Sequence, residues 1–132
     1  MRGRILVVDD DPTMLEFVRL GLLEDAYEVV MATNAEEALE HLRIAPDSYS
    51  VVISDIVMPG MNGLALVQRI HDLNADLCVL LMSAYNLFDL PDNCKFLLKP
   101  FGVEALLAEV NNCLDTHLIS KQRSRSSCTN GK

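Results

Sequence analysis

Three short apolar runs in this 132-residue chain end in ionisable residues. Ile5 to Val8 stops at Asp9, Asp10 and Asp11, Val51 to Ser54 stops at Asp55, and Phe96 to Leu98 stops at Lys99. As parallel strands of one sheet, these runs bring four carboxylates and a lysine to one edge. In an open α/β sheet that edge is where ligands sit, in the crevice outside the carboxyl ends of the strands. Carboxylates crowded there raise one another's pKa, and a divalent cation relieves the conflict. Oxygen donors without a soft ligand beside them favour Mg²⁺, with Mn²⁺ as the second choice. Asp10 and Asp55 suit that role.

An aspartate beside such a metal is also a nucleophile toward phosphorus, giving an acyl phosphate whose new charge Lys99 would meet. Ser83 ends a fourth apolar run, and its hydroxyl is placed to donate to a phosphoryl oxygen, coupling chemistry to the loop that follows. Met58 to Gly63 carries the turn residues that fold backbone around a strand end and leave a carbonyl free as a metal ligand. Lys99 precedes Pro100, which makes that peptide a candidate for the cis geometry. Taken singly these signals are weak, since a serine after a strand is usually a turn residue and a lone lysine is usually solvated. Their recurrence at successive strand ends carries the argument.

Positioning these groups requires alternating strands and helices, the pattern of βαβ units and a parallel sheet. Strands are expected near residues 4–8, 28–31, 51–54, 78–82 and 96–98. Asp11-Pro12 supplies an N-cap and a first-turn proline for a helix with Leu15, Val18 and Leu22 at helical spacing. Asn34 with Glu37 resembles a capping box, opening a helix that Pro46 ends. A third helix follows Gly63 from Leu64 to Leu73, and a last one runs from Val103 to Leu118 with Val103, Leu106, Val110 and Leu114 on one stripe. Between the fourth and fifth strands only Ser83 to Lys95 remain, with Pro91-Asp92-Asn93 as a turn, so at most a short helix fits.

The chain has the size of one domain, expected over residues 1–118, followed by a polar tail at 119–132 with no apolar periodicity. All nineteen acidic residues precede residue 117, against seven Lys or Arg there, whereas the tail holds four basic residues and no acid. So acidic a body repels a nucleic acid backbone, which argues against direct DNA binding. No apolar run is long enough for a membrane span or signal peptide core, so a cytoplasmic protein with no membrane contact is expected. Cys78, Cys94, Cys113 and Cys128 lack close spacing and read as buried or incidental thiols, and His41, His71 and His117 as helix-surface residues rather than zinc ligands.

The runs Ile5 to Asp11, Val51 to Gly63, Leu81-Met-Ser-Ala84 and Leu98-Lys-Pro-Phe101 together resemble the receiver domain of two-component response regulators, over about residues 3 to 118. The resemblance implies an α/β, doubly wound, flavodoxin-like (βα)5 fold with strand order 2-1-3-4-5, an arrangement for which a chemotaxis receiver is a standard example. It implies Asp55 as phosphoacceptor, Asp9 and Asp10 as the acidic pair holding Mg²⁺ with Asp55, and the Val57 carbonyl as a further ligand. Lys99 becomes the phosphate-pairing lysine, Ser83 the switch hydroxyl and Phe96 the aromatic switch residue. The implied donor is a phosphohistidine on a sensor histidine kinase or histidine phosphotransfer protein. The receiver catalyses only its own phosphorylation and dephosphorylation, through positioning and charge stabilisation. The implied output is contact with a downstream protein effector.

Two features depart from the family pattern. The stretch from Ser83 to Lys99 is several residues short, so the fourth helix is expected to be shortened or missing, and the usual output surface with it. Phe96 lacks the hydroxyl of a tyrosine. Val57 and Tyr85, each two residues beyond a site residue, are bulky and little suited to guiding water, which predicts slow autodephosphorylation. A competing reading takes Asp9-Asp10-Asp11-Pro12-Thr13 as the D-x-D-x-T signature of haloacid dehalogenase-like phosphatases, with Asp9 as nucleophile. That reading finds no second acidic motif after Lys99 and no use for Asp55. A receiver that never takes phosphate is a third reading, opposed by the full set of site residues.

Overall fold

The structure, a computed structural model, describes residues 3–86 and 89–115. Five parallel strands form one sheet in the order β2-β1-β3-β4-β5. They are β1 (Arg4–Val8), β2 (Glu28–Ala32), β3 (Val51–Asp55), β4 (Cys78–Ser83) and β5 (Cys94–Leu98). Between them lie α1 (Pro12–Glu24), α2 (Ala35–Ile44) and α3 (Gly63–Leu73), and residues 103–115 form a further helix, α4. The expected (βα)5 order is present, with no helix among the described residues that join β4 to β5. The tail expected at 119–132 and residues 116–118, where the last helix is expected to end, lie outside the described residues. No described helix is long and apolar enough to cross a membrane.

The strands are apolar because both sheet faces are covered, as parallel sheets require. Leu6, Val8, Val52, Val79 and Leu81 face α2 and α3, where Leu39, Leu42, Leu66, Val67 and Ile70 close over them. Ile5, Val7, Val51, Ile53, Leu80 and Met82 face the other way, onto Leu15, Val18 and Leu22 of α1 and Leu106 and Val110 of α4. Burying each large aliphatic side chain contributes roughly 1.5–3 kcal/mol. Gly21 lets α4 come close to α1, since a Cβ there would already touch Val103 and Leu106 at 3.4 Å.

Local signals start the helices as their residue types predict. Asp11 Oδ1 accepts from Thr13 N at 2.9 Å ahead of Pro12, and Asn34 Oδ1 accepts from Glu37 N at 2.8 Å. The return bond of Glu37 goes to Thr33 N, one residue before the cap. Asn62 Oδ1 caps α3 through Ala65 N at 2.9 Å, a cap the sequence reading did not use.

The connection from β4 to β5 contains the expected turn, with Asn93 at φ 57° and its carbonyl accepting from Val79 N. Leu90 in this stretch and Leu98 at the end of β5 are exposed. His71 departs from the surface expectation: it is half-buried, and its Nε2 lies 3.0 Å from the Leu77 carbonyl. That contact ties the last turn of α3 to the residue before β4.

Candidate functional site

The register of the sheet brings the charged strand ends together. Val8 lies opposite both Ala32 and Ser54, Asp55 opposite Met82, and Ser83 opposite Leu98, so β1, β3, β4 and β5 stop at nearly one level. One carboxylate oxygen each of Asp9, Asp10 and Asp55 lies within 4.8 Å of the others. Lys99 Nζ stands 3.2 Å from Asp55 Oδ1 and 3.6 Å from Asp9 Oδ2. Lys99 is held by its own N–H, which donates to the Ser83 carbonyl at 2.8 Å, and the peptide to Pro100 is cis.

Asp9 is fully buried and Asp55 nearly so, whereas Asp10 is exposed. Asp9 N donates to the Ala32 carbonyl, and Asp9 Oδ1 accepts from Asp11 N at 3.0 Å. Its second oxygen, Oδ2, is buried and has no hydrogen-bond donor. Burial pushes the Asp9 carboxyl up to about 6; the Asp11 N–H and Lys99 oppose that rise, and Asp55 and Asp10 add to it. A buried carboxylate oxygen with no hydrogen bond and only a long ion-pair contact to Lys99, among three carboxylates, is part of a donor set that fits a hard divalent cation.

Backbone contacts that sequence reasoning missed hold Asp55 in place. Ser54 is buried, and its hydroxyl donates to the Asp55 carbonyl at 2.9 Å. Gly63, read from sequence only as a turn residue, opens α3 directly against the strand end. A Cβ there would lie 2.4 Å from the Asp55 carbonyl oxygen and 2.8 Å from Ile56 Cα. Gly63 N donates to the Ile56 carbonyl, and Ile56 N to the Met82 carbonyl, so the loop is tied to β4 as well. Gly60 takes φ 77°, the left-handed turn that a glycine supplies at little cost.

The remaining candidates lie around this cluster. Ser83, buried at the end of β4, accepts from Tyr85 N through Oγ at 3.0 Å. Its hydroxyl thereby holds the start of the β4 to β5 connection. Phe96 pairs with Leu81 across β4 and β5 and is half-buried against the α2 and α3 core. Val57 is 65% exposed beside Asp55, and Tyr85 is 75% exposed. Asp11 stands aside from the cluster as the α1 cap.

The model of the response regulator receiver domain matches residues 5–111. The two-component response regulator ARR14 of Arabidopsis thaliana is 36% identical over 130 residues, covering 94% of this chain and 34% of its own length. ARR11 of the same plant is 46% identical over 80 residues, which is 61% of this chain and 15% of that protein. The chain thus spans about a third or less of the length of these relatives. Among solved structures, a receiver domain protein from Clostridium thermocellum superposes with a TM-score of 0.82 at 25% identity, over 89% of this chain and 98% of that one. Response regulator TrrA from Thermotoga maritima, solved in complex with Mg²⁺-BeF, gives 0.75 at 36% identity, over 85% and 99% of the two chains. Sheet order, clustered carboxylates and family match agree: the chain belongs to the response regulator receiver domains of two-component signalling.

Proposed function

We infer that this domain is a phosphorylation-dependent switch that takes a phosphoryl group onto Asp55 from a phosphohistidine of a sensor histidine kinase or histidine phosphotransfer protein. The observation that carries the reading is the placement of Lys99 Nζ 3.2 Å from Asp55 Oδ1, beside the carboxylates of Asp9 and Asp10. A carboxylate oxygen of Asp55 attacks phosphorus, the phosphorus–nitrogen bond breaks, and the imidazole leaves with the electron pair. Lys99 balances negative charge on the phosphoryl oxygens, which supplies electrostatic stabilisation without any covalent role. Its place 3.2 Å from the attacking group also orients that carboxylate.

Asp9, Asp10 and Asp55, with the Val57 carbonyl, would hold Mg²⁺, and Mn²⁺ fits the same donors. Bound there, the cation offsets the crowded carboxylates and the charge of the incoming phosphoryl group. The Mg²⁺-BeF complex of the Thermotoga receiver supports Mg²⁺ as the cation by likeness. Ser83 is assigned the switch hydroxyl. Turning from the Tyr85 N–H toward a phosphoryl oxygen, it would release the start of the β4 to β5 connection. Phe96, on the neighbouring strand, is assigned the aromatic switch position.

The domain so read transforms no external substrate beyond its own phosphorylation and dephosphorylation, and signals through contact with a protein effector. No nucleic acid contact is assigned to it, and it is read as acting in the cytoplasm. The phosphatase reading, which needs Asp11 two residues after the nucleophile as general acid, is disfavoured because Asp11 is engaged as the α1 cap. Incubation with Mg²⁺ and a small acyl phosphate donor, followed by intact mass, tests the proposal. One phosphoryl group per chain, lost in Asp55→Asn, is expected. Turnover without label, abolished by Asp9→Asn, would instead mark a phosphatase.

A further inference from the structure

We propose that Cys78 and Cys113 form a redox pair, held by the fold as disulfide partners, which a disulfide oxidant converts into a covalent tie between β4 and α4. The two residues are 35 positions apart in the chain, and their Sγ atoms lie 2.9 Å apart in the core between the sheet and α4. Both are fully buried free thiols. Bonded sulfurs sit about 2.05 Å apart, so closure needs a shift smaller than a bond length. The neighbouring thiol does not compete. Cys94 pairs with Val79 on β4, the position after Cys78, and so packs on the opposite face of the sheet, against the α2 and α3 core.

In the closed fold the two thiols are unlike. The contact with Cys113 pushes the Cys78 thiol down, helped by Lys95, while the same contact and burial push Cys113 up. Burial pushes Cys94 up to about 12, which leaves it a poor nucleophile. With oxidised glutathione, the Cys78 thiolate attacks one glutathione sulfur and expels the other as a thiolate. The Cys113 thiolate then attacks the Cys78 sulfur and expels the second glutathione. The two cysteine sulfurs lose two electrons to the glutathione disulfide, and their two protons end on the two released glutathione thiols. Access to buried sulfurs requires α4 to lift, so exchange passes through local opening. The resulting tie brackets the whole segment that carries Ser83, Phe96 and Lys99.

Refolding from urea across a series of glutathione redox buffers tests the pair at equilibrium. Acid quenching, alkylation and non-reducing peptide mapping then read the linkage. Cys78 joined to Cys113 is expected as the main cross-link, and its midpoint in [GSH]²/[GSSG] should lie at least about tenfold higher in native buffer than in urea. The oxidised protein should melt roughly 10 °C above the reduced one. A Cys94→Ser/Cys128→Ser variant should behave the same way. If that variant fails to fold, the map of the unaltered chain decides. The proposal falls if Cys78 and Cys113 stay as thiols or separate glutathione adducts under oxidising buffer, if they link to Cys94 or Cys128, or if the two midpoints coincide.

Discussion

Lys99 reaches Asp55 across an intervening strand: Asp55 ends β3, Lys99 follows β5, and Nζ still stands 3.2 Å from Oδ1 above the end of β4. The pair exists only because β4 and β5 are in register, with Ser83 opposite Leu98. The cation is therefore held by the sheet rather than by a mobile loop.

Lys99→Met removes that charge while keeping the length of the side chain. Phosphorylation of Asp55 by a small acyl phosphate should slow by roughly 10²-fold, the scale of losing one preorganised electrostatic group. Time-resolved intact mass measures the rate, and an unchanged rate would remove Lys99 from the chemistry.

Asp9 makes the metal-free protein sensitive to pH. Its folded-state pKa of about 6 exceeds the ordinary 3.8, so the folded chain binds the proton more tightly than the unfolded chain. The contribution of Asp9 to stability is accordingly greatest below about pH 4 and is lost as pH rises through 4 to 6, by an amount on the order of 2–3 kcal/mol. Asp9→Asn should remove the penalty, stabilising the protein by about that much at pH 7.5 and little at pH 4. Urea denaturation with a chelator present gives both values.

Mg²⁺ should offset part of the same penalty. At ten times its dissociation constant, a ligand of the folded state alone adds about 1.4 kcal/mol, enough to raise Tm by roughly 5 °C. Removal with a chelator should restore the lower Tm. The shift should vanish in Asp55→Asn, and its persistence there would locate the cation elsewhere.

Gly63→Ala sets helix propensity against space. Alanine ordinarily favours a helix by about 1 kcal/mol over glycine. Here its Cβ would meet the Asp55 carbonyl oxygen at 2.4 Å, and backbone has no rotamer to escape with. A net loss of about 2–4 kcal/mol is expected, together with slower phosphorylation as Asp55 is pushed from Lys99. Chemical denaturation and phosphorylation kinetics should move together.

Val57 and Tyr85 both present bulky side chains outward, at 65% and 75% exposure. With neither able to guide an attacking water, the phosphoryl group should be long-lived. Val57→Asn and Tyr85→Glu should each shorten the half-life severalfold. Equal half-lives would show that water arrives by another path.

The legible parts of this fold were those written in local chemistry. Asp11-Pro12 and Asn34 with Glu37 mark helix starts through bonds that span two or three residues, and the apolar runs mark strands buried on both faces. The acidic cluster was legible because each member ends such a run. What escaped depends on distant partners. β5 begins at Cys94, before the apolar run at Phe96, because pairing with β4 carries Lys95 into the strand. Ser54 and Gly63 look unremarkable by type, yet they hold and crowd the Asp55 carbonyl once α3 docks. Nothing in the spacing of Cys78 and Cys113 shows that a strand start and a helix face will meet, and His71 reaches Leu77 only after α3 has turned back toward the sheet.

The short β4 to β5 connection also bears on how the chain assembles. Ten residues separate β4 from β5, against twenty-two between β3 and β4. Parallel strands usually need a dozen or more residues to cross over. Closing the shorter span costs about 0.7 kcal/mol less conformational entropy. The β4-β5 pair, with Ser83 ending one strand and Lys99 just past the same carboxyl end of the other, is thus the most local pairing in the sheet, and its early formation during folding would set both residues before the acidic strand ends arrive.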